Sequence, residues 1–197
     1  MKIFDCVQGG PEWHACRCGV PSASSFDCII TTEGKPSKQR EQYLYKLAGE
    51  RVTGMAEETY TNGAMQRGKE MEAEARRFYT FHTGKEVVEV GFCLADGGYG
   101  ASPDGLVSED SCLEIKCPQL ATHVGYLLEN KLPTKYFQQT QGQLLVTERK
   151  YVDFISYYPA MKPLIIKVER DEKFIKVLRI ELDVFCQQLE EITNKIR

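Results

Sequence analysis

Asp104, Glu114 and Lys116, spaced Asp-x9-Glu-x-Lys, carry the strongest chemical signal in the chain. The run from Cys112 to Lys116 is apolar apart from Glu114 and Lys116. As a β-strand it turns Glu114 and Lys116 to one face and Leu113 and Ile115 to the other. A charged pair on one face of a buried strand is costly unless something compensates it. A hard divalent cation held by Asp104 and Glu114 would do so, because such ions take oxygen ligands. Lys116 would then stand beside the metal and the water it activates. The same residues also fit a turn at Asp104-Gly105 and a solvated Glu114–Lys116 ion pair.

The elements around this stretch read as helices, then a strand meander, then helix, strands and helix. Pro11 suits a first helical turn and Gly19 a helix end. Ser22 or Ser24 can cap a short helix through Phe26, Ile29 and Ile30. Alternatively, Arg17 with these serines forms the kind of group that grips a phosphate. The polar loop 31–38 is basic through Lys35 and Lys38, and fits either solvated surface or a contact with a DNA backbone. Ser37 precedes a helix ending near Thr53, with Gly54 as its stop.

Helical spacing predicts a longer helix over 61–82, with Met65, Met71, Ala75 and Tyr79 inward. On it, Glu72 and Arg76 are placed to pair on the surface. Glu72, next to Met71, is also placed to reach the strand carrying Asp104. Val-rich 86–94 reads as one strand, followed by the Asp96-Gly97-Gly98 turn and a strand through Ser102. Helices are expected over 121–129 and 135–146, with Gln141 on the face of Phe137, Leu144 and Leu145. Strands 151–158 and 164–168 precede a final amphipathic helix over 171–196. The pattern is a mixed sheet flanked by helices, α/β or α+β, in a single domain over the whole of 1–197.

Composition bounds the class. The chain has 197 residues, 42% of them hydrophobic and 27% charged, as in an ordinary globular protein. No apolar run matches a membrane span and the start is not a secretory signal, so a cytoplasmic location without membrane contact is expected. The eight cysteines lack paired Cys-x2-Cys knuckles and read as reduced core residues. Net charge is −3, but it is unevenly spread. Residues 61–130 hold six Lys or Arg against eleven Asp or Glu, and 131–197 hold twelve against nine. The acidic excess surrounds the proposed metal site.

Four separated blocks resemble one family. They are Trp13-x3-Arg17-x-Gly19-x4-Ser24, then Arg67-Gly68-Lys69-x2-Glu72-x2-Ala75-Arg76, then Ser102-Pro103-Asp104-Gly105 with Glu114-Ile115-Lys116, then Gln139-Thr140-Gln141. Together they are similar to the exonuclease of phage lambda and its YqaJ-like viral recombinase relatives, within the PD-(D/E)xK nucleases. The resemblance implies a restriction-endonuclease-like core. It implies Mg²⁺, one or two ions replaceable by Mn²⁺, on Asp104, Glu114, the carbonyl of Ile115 and Glu72. Lys116 would activate the water and Gln141 would help to position it. Arg17, Ser24 and Ser102 would hold a 5′-phosphate. Trp13 would meet the terminal nucleotides, and Met65 would act as a wedge between the strands. Lys35 falls in a loop whose composition departs from the family pattern.

The activity so implied is 5′-to-3′ digestion of one strand of linear double-stranded DNA, leaving a 3′ single strand. The implied partners are two further copies of the chain in a ring-shaped trimer and a single-strand annealing protein, in a phage or prophage setting. Competing readings are an endonuclease on the same core, a non-catalytic phage DNA-binding protein and a cysteine-ligated metalloprotein.

Overall fold

The computed structural model describes residues 1–57 and 63–197; for 63–66 and 69 it describes the backbone alone. The strand with the charged pair is central to it. β1 (Lys2–Phe4), α1 (Pro11–Arg17) and a 3-10 turn (Ala23–Cys28) come first. They are followed by α2 (Arg40–Thr53) and α3 (Gly63–Thr83). The meander comprises β2 (Val87–Val88), β3 (Phe92–Leu94), β4 (Gly100–Ala101), β5 (Gly105–Val107) and β6 (Ser111–Lys116). Then come α4 (Leu120–Glu129), α5 (Phe137–Thr147), β7 (Tyr151–Ser156), β8 (Leu164–Glu169) and α6 (Glu172–Ile196).

The main sheet has five strands in the order β2-β5-β6-β7-β8. Only β6 and β7 are parallel. A parallel pair requires a crossover connection, and α4 with α5 provides it. Alternation along β6 then assigns the faces. Leu113 and Ile115 pack with Met71, Ala75 and Tyr79 of α3, which recur at helical spacing. Cys112, with Phe154 of β7, packs under Leu144 of α5, Leu178 of α6 and Phe26 of the 3-10 turn. Glu114 shares the face of Cys112, so it lies beneath α5, and all but its first and third residues are buried. Gly142 permits this approach, because a Cβ there would stand 2.5 Å from the Phe26 ring.

The expected single strand over 86–94 is divided. β2 belongs to the main sheet, whereas β3 joins β1 and β4 in a second sheet. The break falls at Gly91, whose N–H donates to the Phe4 carbonyl at 3.1 Å. A side chain at Gly91 would collide with Cys6. β1, read from sequence only as a non-signal start, therefore forces the division. The final helix is capped by Asp171, whose carboxylate accepts from the Phe174 N–H at 3.0 Å. Met65 falls in the first turn of α3, and its side chain lies outside the described residues.

Candidate active site

β5 and β6 bring the two acids together. Gly105 pairs with Leu113, so Asp104 sits just beyond the end of β5. Its own N–H donates to the Leu113 carbonyl at 3.0 Å. Its Oδ2 accepts from the Ile115 N–H at 2.5 Å. In a strand the main-chain groups of alternate residues face the same side. The carbonyl of Ile115 therefore faces the side of Asp104, past Gly105, the first residue of β5. Lys116 is turned the other way, its carbonyl accepting from the Tyr157 N–H at 2.9 Å.

Glu114 is 1% exposed and densely held. Its Oε1 accepts from Lys116 Nζ at 2.5 Å and from Gln139 Nε2 at 2.6 Å. Its Oε2 accepts from Gln143 Nε2. Gln139 and Gln143 are four residues apart on one face of α5, above β6. Gln141 is placed differently from the sequence expectation. Its Nε2 donates to the Glu169 carbonyl at 2.9 Å, and its Oε1 accepts from the Asp171 N–H at 2.8 Å. Both amide groups are thus committed to joining β8 to the start of α6, and the structure does not bring Gln141 to the acids.

Glu72 and Asp104 line one cleft of about 620 Å³, together with Gln8, Trp13, Arg76 and Glu89. Burial first, and then Glu114 and Glu72, push the Asp104 carboxyl well above the usual carboxylate range. The Cys117 thiol is pushed up to about 12, by burial and then by Glu72 and Asp104. Burial alone would lower the Lys116 ammonium, but Glu114 and Asp104 together hold it above its ordinary range. Arg76 is engaged by Glu89 and by the main chain of Asp104. Its Nη1 lies 3.0 Å from Glu89, and its Nε donates to the Asp104 carbonyl at 3.2 Å.

These residues fit a small divalent cation. Crowded carboxylates that raise one another's proton affinity are stabilised by a cation. Among the described residues, no group of three or more His, Cys, Asp or Glu is placed to hold a metal ion. A cation here would bind through one or two carboxylates and complete its shell with other oxygens, as Mg²⁺ does.

A second cluster lies close by in the chain. Trp13 and Arg17 are one helical turn apart on α1, and the guanidinium lies 4.1 Å from the indole ring. Arg17 donates from Nη1 to Ser102 Oγ at 3.1 Å, and from Nη2 to Ser22 Oγ at 2.9 Å and Ser24 Oγ at 3.2 Å. Trp13 Nε1 donates to the same Ser102 Oγ at 2.9 Å and to the Gly91 carbonyl at 3.1 Å. No carboxylate forms an ion pair with Arg17 among the described residues, and burial lowers its proton affinity. The structure thus gathers Arg17, Ser24, Ser102 and Trp13, and adds Ser22. Sequence treated Ser22 as a cap or phosphate ligand; its N-cap position carries no side-chain cap bond. Lys35 is exposed in a turn where its carbonyl accepts from the Thr31 N–H at 2.7 Å, and no contact joins it to this cluster.

All eight cysteines are free thiols; Cys93 and Cys112 lie in the core, whereas the other six are half-buried rather than core residues. No helix of the described residues is long and apolar enough to cross a membrane.

A parallel β6–β7 pair bridged by helices, with acids at the adjoining ends of β5 and β6, defines a restriction-endonuclease-like α+β nuclease fold. Residues 12–150 match the YqaJ-like viral recombinase domain, and the chain belongs to that family. It is similar to the alkaline exonuclease LHK-Exo from Laribacter hongkongensis. The two share 35% identity over 95% of this chain and 96% of that one, with a TM-score of 0.86. A crystal structure of LHK-Exo in complex with dAMP matches equally well. A phage-related exonuclease from Haemophilus somnus 129PT shares the fold at 14% identity, with a TM-score of 0.71 over 90% of this chain and 96% of that one. Comparison with curated proteins finds no match.

Proposed function

We propose that the protein is a Mg²⁺-dependent 5′-to-3′ exonuclease acting on linear double-stranded DNA, releasing 5′-mononucleotides and leaving 3′ single strands. The observation that carries this reading is the hydroxyl-lined Arg17 pocket, joined through Ser102-Pro103-Asp104 to the acids. A guanidinium surrounded by neutral hydroxyls suits a terminal phosphate, which Arg binds bidentately and hydroxyls can donate to. The dAMP complex of the 35%-identical relative supports it, since dAMP is the type of product expected.

In this mechanism Asp104, Glu114, the Ile115 carbonyl and Glu72 would hold the metal. The cation would supply charge stabilisation at the phosphate and a more acidic water. Lys116 orients the attacking water and adds fixed positive charge beside the phosphate as negative charge develops there. Gln139 and Gln143 hold Glu114 in one rotamer, so one carboxylate edge stays fixed beneath α5. Arg17 with Ser22, Ser24 and Ser102 selects a chain end. The family resemblance further supports a ring-shaped trimer around the DNA, a single-strand annealing partner and a cytoplasmic setting in a bacterial host.

The test compares linear duplexes bearing 5′-phosphate or 5′-hydroxyl ends with a covalently closed circle, each with Mg²⁺ or chelator. Mononucleotides released from phosphorylated ends with Mg²⁺ alone are expected. Cleavage of the circle would instead point to an endonuclease, and binding without cleavage to a non-catalytic protein.

A further inference from the structure

We propose that Tyr136 is a positioning residue for Lys116, the face of its ring holding the lysine ammonium in place when Glu114 is engaged by a cation. The inference rests on the role given above to Lys116.

Lys116 ends a flexible four-carbon stem, and its ammonium is a compact, strongly hydrated charge that needs partners when drawn inward. Its side chain is 28% exposed. Among the described residues its ion-pair partner is Glu114, itself a metal ligand in the proposed mechanism. A carboxylate shared with a divalent cation holds an ammonium less strongly, because the two cations compete for its oxygens and repel each other. Lys116 would then be free to swing out at the moment its position matters. The structure supplies a second partner. Lys116 Nζ lies 5.3 Å from the Tyr136 ring centroid. A ring face attracts a cation through its quadrupole within about 6 Å. The ring face itself has no lone pair with which to bind a hard metal ion, so it stays with the lysine.

The ring is firmly placed. It packs 5.3 Å from the ring of Phe154 and edge-on at 6.4 Å from Tyr126. Phe154 is the β7 partner of Glu114, which puts Tyr136 over the strand pair carrying the acid. The backbone is fixed as well, because Tyr136 ends the 3-10 turn leading into α5 and its carbonyl accepts from Thr140 Oγ1 at 3.0 Å. Lys135 Nζ lies 4.9 Å from the same ring centroid. Two ammonium groups therefore share one ring, an arrangement that simple filling of a gap would not require.

The test replaces Tyr136 with Phe, with Leu and with phenylalanines carrying increasing numbers of ring fluorines. Fluorination weakens the quadrupole while nearly preserving shape. Phe should retain turnover, and Leu should lower kcat about tenfold to thirtyfold with KM for duplex DNA unchanged. Log kcat should fall stepwise with each fluorine. The second readout is NMR of metal-free protein carrying labelled lysine. The ring-current shift of the Lys116 ε-methylene, assigned by its loss in Lys116→Arg, should persist in Tyr136→Phe and vanish in Tyr136→Leu. A flat fluorine series, or a Lys116 signal indifferent to Tyr136→Leu, would overturn the proposal. A wild type that cleaves no DNA overturns the nuclease reading instead, and the NMR arm alone then decides the ring contact.

Discussion

Arg17 Nη1 donates to Ser102 Oγ at 3.1 Å, and Ser102 stands two residues before Asp104. The anion pocket and the acid site are thus two ends of one short segment. Gln8 steadies that segment, its Nε2 donating to the carbonyls of Val90 and Pro103 at 2.8 Å each. A phosphate held by Arg17 would set how far the chain beyond it reaches along the cleft.

Arg17→Ala should lower the rate on 5′-phosphorylated duplexes about tenfold to a hundredfold, as expected for losing a charge-assisted hydrogen-bonding partner. The rate on 5′-hydroxyl duplexes should change little. Initial rates on the two end types measure this, and an unchanged ratio refutes the pocket. Ser22→Ala should act in the same direction and more weakly, because it removes one hydroxyl and leaves the guanidinium.

Lys116→Ala should abolish hydrolysis while duplex binding in a gel-shift assay with Ca²⁺ persists. Glu114 retains Gln139 and Gln143 in that variant, so the site should not collapse. Turnover like that of the wild type would remove Lys116 from its assigned role.

Gln139→Ala and Gln141→Ala should separate catalysis from stability. Gln141 is buried and makes two hydrogen bonds, to the Glu169 carbonyl and the Asp171 N–H, and losing them should cost about 1–3 kcal/mol, read as a fall in Tm. Its turnover at permissive temperature should be near that of the wild type. Gln139→Ala should lower turnover with a smaller change in Tm. A Gln141→Ala enzyme that is stable but inactive would restore the role the sequence suggested.

The contrast between these glutamines marks how far the sequence could be read. Asp104, Glu114 and Lys116 were legible because strand alternation and spacing constrain them locally. Arg17 with Ser22 and Ser24 was legible because the serines follow it at once, whereas Trp13 and Ser102, far apart in the chain, joined it only through the family resemblance. Gln141 was correctly seen as inward, but α5 is buried on nearly every side. Periodicity could not say which buried face meets β6, since that depends on strand order. The division of 86–94 was hidden for the same reason: it is imposed by β1, some 90 residues earlier in the chain.

The acid site should also be visible in the stability of the metal-free protein. The Asp104 carboxyl is held above its ordinary value of 3.8, first by burial and then by Glu114 and Glu72. The folded state therefore binds this proton more tightly than the unfolded chain does. Stability from this group is fully present below the ordinary value and is lost as pH rises through the raised one. Tm of metal-free protein should fall across that window, and Asp104→Asn should flatten the fall. Mg²⁺ binds the ionised form, so it should raise Tm more as pH increases, by about 2.7 kcal/mol of added stability at a hundredfold excess over Kd. A Tm that ignores Mg²⁺ at neutral pH, with folded protein confirmed by circular dichroism, would rule out Asp104 as a ligand.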